Sequence, residues 1–473
     1  MKNDAKILQA LQTVIKAKEG GDLFTSLDVK TYRSLLRRQN PAYWQEAGAK
    51  KALQLFHAAA DRVPAYKDFL KKQGVRPSSI VNAQDFSKVP VLTKQNYIQQ
   101  YSLAERSWDG TLKGHSLLAM SSGTSGKPTI WPRGVHQEAE AAFIHEFLLT
   151  DLYEVDTYRT LMVIGFPMGI YVSGVATSVP MLLSALKHPN LSIVTAGNHK
   201  ESILSFLQTM KTGYEQIILV GHPFFIKDVI ETGKAEGIKW AKSRVRTMFC
   251  SEGFNEPWRN YVASLLHTEA RHSLFSTYGS SEFLLMGFEN PCTIAIRNIA
   301  EQNEDNCKNI FETVMAPSLF QYNPLSRYVE VEGTDLVVTA ASGIPLIRFN
   351  QHDMGSVIPY DVMMKRIATS SSGKKDTLPD WRPWKLPFVT LYGRSDRTLV
   401  FYAANIYPEN IQTALNDKRY LKKLTGKFFM EKKYLSNMEQ ELILHIELCP
   451  TIKINEMIGV ADEDLAVVER RQR

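Results

Sequence analysis

The chain is 473 residues long, enough for more than one domain, and its 44% hydrophobic and 22% charged residues are ordinary for a globular protein. A net charge of +7 without a conspicuous basic stripe argues against a nucleic-acid binder, and the basic run at 469–473 reads as a solvated tail. Four cysteines (Cys250, Cys292, Cys307 and Cys449) form no Cys-x-x-Cys pair and have no neighbouring histidine cluster. That pattern points to neither a zinc site nor a disulfide framework and fits thiols in a reducing, cytoplasmic setting.

From the N-terminus, residues 1–19 are charged and amphipathic, with Ile7, Leu8, Leu11, Val14 and Ile15, and lack the apolar core of a secretion signal. The run Ser121-Ser122-Gly123-Thr124-Ser125-Gly126-Lys127-Pro128 sets hydroxyls and two glycines ahead of a lysine. Glycines let backbone approach an anion, amides and hydroxyls donate to it, and lysine adds a point charge. The P-loop NTPase pattern is not met, because position 121 is Ser rather than Gly and Lys127 is followed by Pro128, which bars a helix from starting there. By itself such a run also fits a flexible Gly/Ser turn.

Residues 160–186 carry no charge and are long enough to span a bilayer, but Gly165, Pro167, Gly169, Gly174 and Pro180 interrupt them. They read as a buried strand (161–164), a glycine-rich turn and a buried helix, so no membrane association is expected. Residues 216–220 precede a helix beginning near Pro223, and 246–250 precede one near Glu256. This βα alternation predicts an α/β domain with a largely parallel sheet whose strand ends line a ligand crevice.

Three further segments follow in order: Tyr278-Gly279-Ser280-Ser281-Glu282 after a strand-like run, Arg348-Phe349-Asn350-Gln351-His352-Asp353 after the strand-like 335–339, and Gly393-Arg394-Ser395-Asp396. Residues 368–384, rich in Ser, Lys, Asp and Pro, read as an exposed loop. Beyond Asp396 the chain predicts a short strand, a helix at 408–415 and strands near 427–429 and 442–446. Each segment has a plain reading of its own. Tyr278 fits a core aromatic, Glu282 a helix-start carboxylate, Asp353 with Gly355 a turn, and Arg394 with Asp396 a surface ion pair.

Taken together and in this order, the four segments resemble the acyl-adenylate-forming superfamily. Tyr43-Trp44, Val63-Pro64-Ala65-Tyr66 and Val89-Pro90-Val91-Leu92-Thr93-Lys94 resemble its phenylacetate–CoA ligase-like branch, and matching segments run from about residue 43 to 444. The resemblance implies a large N-terminal adenylate-forming domain, 1–395, with mostly parallel sheets and helices. A small, shortened C-terminal α+β lobe, 396–473, would follow, with Asp396 as the hinge. The implied reaction is ATP-dependent activation of a carboxylic acid, with Mg²⁺, to an acyl-adenylate and pyrophosphate. Ser122, Thr124, Ser125, Gly126 and Lys127 would hold the phosphates, Glu282 and Thr124 the Mg²⁺, and Ser281 the α-phosphate. Lys127 and Glu282 would be the catalytic charges. Tyr278 and Gly279, with the turn Ser251-Glu252-Gly253, would meet the adenine, Asp353 the ribose hydroxyls, and Arg394 ribose or phosphate. The acid would lie around Phe166, Met168, Gly169, Ile170, His222, Gly279 and Ser280, an apolar lining suited to an aromatic or short apolar acid. His222 equally fits a helix cap or a satisfied core histidine.

Three departures from the family pattern bear on the second half-reaction. Ser276 stands where an acidic residue is usual, Tyr402-Ala403-Ala404-Asn405 replaces an Arg-Gly-x-Asn run, and nothing in 448–473 matches the catalytic-lysine context, Lys427 and Lys453 included. CoA transfer is thereby weakened relative to adenylation, leaving an amine, a carrier protein or CoA as the final acceptor. The alternative from another class is a degenerate relative that binds nucleotide or acid as a regulator or scaffold.

Overall fold

The computed structural model describes residues 28–121, 128–210, 213–370, 384–395, 399–402, 404–406, 411, 415 and 423–448. The chain forms two compact units, Met1–Ser395 and Asp396–Arg473.

The first unit opens with helices α1 (Val29–Arg38), α2 (Pro41–Arg62) and α3 (Pro64–Lys72). Asn40 caps α2 by accepting from the Ala42 N–H, and Pro41 and Pro64 occupy first-turn positions where a missing N–H costs nothing. Trp44, Val63, Ala65 and Tyr66 are all buried, so these four motif residues serve the core. Around them Phe56, Tyr66, Phe69 and Tyr97 pack, mostly edge to face, in one hydrophobic cluster.

A hairpin of β1 (His115–Met120) and β2 (Ile130–Gly134) leads into α4 (Val135–Asp151). Then β3 (Thr160–Gly165), α5 (Val172–Ala185), β4 (Leu191–Val194), α6 (Lys200–Thr209), β5 (Gln216–Gly221), α7 (Pro223–Ala235), β6 (Arg244–Phe249), α8 (Glu256–Leu266) and β7 (Leu274–Ser280) alternate as βα units. The chain continues through β8 (Leu284–Phe288), α9 (Pro291–Ala300), β9 (Ser318–Gln321), β10 (Tyr328–Glu332), β11 (Asp335–Ala340), β12 (Leu346–Met354), β13 (Val357–Ile358), α10 (Tyr360–Thr369), β14 (Phe388–Leu391) and β15 (Gly393–Arg394).

Nine strands make one sheet, in the order β13-β14-β9-β8-β7-β6-β5-β3-β4. The run β4-β3-β5-β6-β7 is parallel, as the alternation predicts, and the pairings from β7 to β13 are antiparallel. The chain winds from β3 outward to β4 and then returns to β5 on the other side of β3. The strand ends at Gly165 and Gly221 therefore flank a topological switch point, where α/β sheets open a crevice. A four-stranded antiparallel sheet, β10-β11-β12-β15, stands separately.

Residues 160–186 resolve into strand β3, a turn and helix α5, and among the described residues no helix is long and apolar enough to cross a membrane. Only the ends of the expected loop or insertion at 368–384 are described. Ala368 and Thr369 close α10, Ser370 is buried, and Trp384 is fully buried against Phe147 and Phe288. Residues 371–383 lie outside the described residues.

The second unit has two antiparallel hairpins, β16 (Leu399–Phe401) with β17 (Ala404–Ile406) and β18 (Leu424–Tyr434) with β19 (Gln440–Leu448). Asp396, Ala403, most of 408–415 and everything beyond Leu448, Cys449 and Lys453 included, lie outside the described residues.

Candidate functional site

Ser122, Thr124, Ser125, Gly126 and Lys127, expected to form a phosphate loop, lie outside the described residues, but the hairpin on either side of them is described. Ser121 N–H donates to the Thr129 carbonyl at 3.0 Å, and Thr129 N–H donates to Ser121 Oγ at 3.2 Å. On the other side, Met120 N–H donates to the Ile170 carbonyl at 2.7 Å. The strand entering the loop is thus tied to the segment expected to line the acid pocket.

Tyr278, Gly279 and Ser280 are the last residues of β7, and Ser281 and Glu282 form the turn into β8. The β7–β8 register shifts between Tyr278 and Gly279. A Cβ on Gly279 would stand 2.8 Å from the Leu284 carbonyl oxygen, so only glycine lets the two strands close there. Ser280 Oγ accepts from the Phe283 N–H at 3.2 Å, and Ser342 Oγ donates to the Glu282 carbonyl at 2.6 Å. Glu282 is buried, and its Oε1 lies 2.9 Å from Lys94 Nζ. Lys94 arrives there because the 89–94 segment is strapped to β12. Leu92 N–H donates to the Arg348 carbonyl at 3.0 Å, and Asn350 N–H to the Leu92 carbonyl at 2.8 Å.

Asp353 and Arg394 face each other across the β12–β15 pair, with Arg394 Nη1 3.4 Å from Asp353 Oδ1. From the main sheet, Tyr278 Oη donates to Asp353 Oδ2 at 2.8 Å. Burial, followed by the neighbouring Asp353 charge, pushes the Tyr278 phenol well above its ordinary range, so it stays a donor. Its ring lies 5.8 Å from that of Phe320. Ser395 Oγ donates to Asp335 Oδ2 at 2.9 Å and its N–H to the His352 carbonyl at 2.8 Å, which fixes the strand carrying Arg394. Arg348, in the same motif as Asp353, is a structural clamp. It is buried, donates to the Ser87 and Val89 carbonyls and pairs with Glu330 and Glu332.

At the switch point, Phe166 is buried, Met168 half-buried, and Gly169 and Ile170 exposed. Gly174 in the first turn of α5 comes so close that a Cβ would meet the Pro167 carbonyl oxygen at 2.2 Å. His222 occupies the N-cap position of α7, but its side chain makes no cap bond. Its Nε2 instead meets Glu252 Oε2 at 2.9 Å, and both groups are buried. The turn after β6 permits this because Ser251 adopts a left-handed φ of 83°, while Cys250 Sγ lies 3.7 Å from where a Gly279 Cβ would be. The Ser251-Glu252-Gly253 turn and the end of β7 are therefore neighbours. Burial raises the Cys250 thiol, consistent with an unreactive sulfur.

The described residues thus bring Tyr278, Asp353 and Arg394 into one hydrogen-bonded group, and His222 and Glu252 into another. Two partnerships are invisible in sequence, Lys94 with Glu282 and His222 with Glu252, because each joins distant segments. Ser276 lies inside the sheet, where its N–H donates to Glu289 Oε2 at 2.7 Å and its carbonyl accepts from the Glu289 N–H at 2.9 Å. Among the described residues there is no group of three or more His, Cys, Asp or Glu able to hold a metal. A Mg²⁺ carried mainly by substrate phosphates needs only one or two protein carboxylates, a role Glu282 fits if Lys94 yields its oxygen.

No protein-family model matches the chain, and no curated protein compared with it does. Among solved structures it is similar to 2-hydroxyisobutyryl-CoA ligase in complex with 2-HIB-AMP and CoA in the thioesterification state, with a TM-score of 0.62 and 15% identity over 88% of this chain and 80% of that one. An open conformation of the same ligase, also with 2-HIB-AMP and CoA, matches with a TM-score of 0.57 and 14% identity over 90% and 84%. At such identity the likeness establishes a shared fold.

Proposed function

We propose that this chain is an adenylate-forming ligase, which activates a carboxylic acid with ATP to an acyl-adenylate and pyrophosphate. The observation that carries the proposal is the Tyr278–Asp353–Arg394 group beside the buried Glu282, at the end of β7 and next to the switch-point crevice. The shared fold with an acyl-CoA ligase holding an acyl-AMP supports it.

In this reading, residues 1–395 form the adenylating domain and 396–473 the small lobe, hinged at Asp396. Asp353 has two acceptor oxygens for the two ribose hydroxyls, and the Tyr278 donor holds the carboxylate in place. Arg394 reaches ribose or phosphate, Tyr278 and Gly279 present a face to adenine, and Ser251–Gly253 form its edge. Ser122, Thr124, Ser125, Gly126 and Lys127 grip the β- and γ-phosphates, while Ser281 donates to the α-phosphate. In the reaction, a carboxylate oxygen of the acid bonds to the α-phosphorus, the bond from the α-phosphorus to the bridging oxygen breaks, and pyrophosphate leaves with that electron pair. Lys127 offsets charge developing on the leaving group. Bound Mg²⁺, held by Glu282 and Thr124, would supply Lewis-acid charge compensation.

Phe166, Met168, Gly169, Ile170, His222 and Ser280 receive the acid, and their largely apolar chemistry favours an aromatic one, in line with a phenylacetate–CoA ligase-like enzyme of the cytoplasm. Tyr402, half-way to solvent and hydrogen-bonded by its hydroxyl to Gln440 N–H at 3.0 Å, replaces a cation of the family pattern, so adenylation outlasts CoA transfer as the firmer half of the proposal. An amine or a carrier protein is the alternative acceptor. The test is acid-dependent ATP–pyrophosphate exchange across aromatic and short aliphatic acids, first without and then with CoA. Exchange with one acid class names the substrate; ATP binding with no exchange for any acid would turn the proposal into one of a nucleotide-binding regulator.

A further inference from the structure

We propose that a basic cleft built on α1, away from the residues assigned to adenylation, binds a small anion carrying two or more phosphate groups. The cleft holds about 420 Å³, and Lys30, Arg33, Arg37 and Arg38 of α1 line it together with Lys385 and Tyr360. That volume lies within the range of small-molecule sites. In the sequence these cations are spread over two segments far apart, and only the fold collects them.

The cleft is organised rather than merely charged. Tyr32, Leu35 and Leu36 on the other face of α1 are buried in the core, which fixes the helix. Asp151, whose side chain is almost fully buried, takes Arg33 Nε at 2.6 Å, Arg37 Nη2 at 3.0 Å and the Trp384 indole N–H at 2.8 Å. Arg33 Nη2 also donates to Thr150 Oγ1 at 3.0 Å. One carboxylate therefore orients two guanidinium forks but offsets only one charge. Lys385 is pinned by its backbone N–H, which donates to the Leu36 carbonyl at 2.7 Å. Lys30, Arg38 and Lys385 make no ion pair among the described residues. The Tyr360 ring stacks on Phe388 at 6.2 Å, and burial pushes its phenol up to about 12, so it remains a hydrogen-bond donor at neutral pH.

A solvated helix face would account for Arg37 and Arg38, since cations in a last turn suit the helix dipole. It does not account for Lys30, a cation in the first turn, where the dipole opposes it, nor for Lys385 arriving from a different segment. Guanidinium forks held in place, with lysines as point charges around them, match the oxygens of a di- or triphosphate. Lys385 and Tyr360, from other segments, join the α1 cations in lining one concavity, which favours a compact anion over an extended acidic chain.

The test is calorimetric titration of inorganic pyrophosphate into the full chain, without added divalent cation, for wild type, Lys30→Glu, and the pair Arg38→Glu with Lys385→Glu. Wild type should show a binding component that weakens as salt is raised. The double variant should lose that component by tenfold or more, and orthophosphate should bind at least tenfold more weakly than pyrophosphate. Lys30→Glu should weaken pyrophosphate several-fold while holding or raising the melting temperature, because glutamate suits the first turn; a damaged fold would instead lower both. Variants at the adenylation site, such as Asp353→Ala, should leave this component in place. The proposal is overturned if pyrophosphate affinity is the same in all three proteins. It is equally overturned if an acidic peptide such as hexaglutamate binds the cleft more tightly than pyrophosphate.

Discussion

Two groups of charges lie within a few strands of each other and behave as opposites. Behind β7, Arg259 meets Glu256 at 2.9 Å and Glu289 at 2.7 Å, while Arg297 meets Glu256 at 2.8 Å, and none of these four side chains is more than 3% exposed. At the end of β7, the group of Tyr278, Asp353, Arg394, Glu282 and Lys94 is built from similar residue types. Yet Asp353 is 18%, Arg394 23% and Lys94 40% exposed, and Arg394 stands at 3.4 Å from its partner. The first group is closed, with its charges satisfied at short range. The second is partly open to solvent and reachable. Buried charge is thus no mark of function by itself; what distinguishes a site is charge whose partners a ligand can replace.

Breaking the closed group should produce the largest effect. Arg259→Met would leave two buried carboxylates, Glu256 and Glu289, to share the single cation of Arg297, a loss of about 3–5 kcal/mol of stability. Thermal unfolding should fall sharply, and activity should fall only in proportion to the folded fraction. Glu256 gives the same group a pH signature. Burial acts to raise its pKa, but Arg259 and Arg297 outweigh this and hold it below the ordinary glutamate value of 4.5. Its stabilisation is therefore present above that value and is lost as pH falls through the lower folded value. Acid unfolding of wild type should be steeper below pH 4.5 than that of an Arg259→Met variant; parallel curves would remove Glu256 from the account.

Opening the second group should do the reverse. Glu282→Ala should cut acid-dependent pyrophosphate exchange at least tenfold while moving the melting temperature little, because Lys94 is exposed enough to be solvated once its partner is gone. A large loss of stability with an intact exchange rate in the folded fraction would reassign Glu282 to the closed kind. Asp353→Ala comes next in size. It should raise the KM for ATP several-fold with little change in acid preference, and an unchanged KM would reject its ribose role.

How far the sequence reaches follows the same division. The strands ending at Gly165, Gly221 and Phe249, and the helices starting at Pro223 and Glu256, were legible because apolar runs and helix-start residues are local signals. The order of motifs pointed to Tyr278, Asp353 and Arg394, which lie at the end of β7 and on the antiparallel β12–β15 pair. Their mutual contacts were not legible. Tyr278 and Asp353 are 75 residues apart and belong to different sheets. The Lys94–Glu282 pair depends on Leu92 being strapped to β12, and the Asp151 clamp on α1 and α4 packing together. Composition also gave no sign that Trp384, at the end of a polar stretch, is fully buried. Pairing and burial over such separations are tertiary effects, with no periodicity to betray them.

Tyr278→Phe should have the smallest effect and the sharpest meaning. It keeps the ring beside Phe320 and removes only the hydroxyl that donates to Asp353. A hydrogen bond to a charged acceptor is worth about 1.5–3 kcal/mol, but Asp353 itself stays in place and Arg394 still reaches it, so only part of that loss passes to ATP. The KM for ATP should therefore rise by no more than about tenfold, with kcat nearly unchanged, and by less than in Asp353→Ala. Tyr278→Leu then separates ring from hydroxyl. If the leucine variant loses much more than the phenylalanine variant, the ring carries adenine binding and the hydroxyl only steadies Asp353. If the two are equal, the hydroxyl is the working part and the ring is core packing, which would move Tyr278 towards the closed class of residues that Arg259 exemplifies.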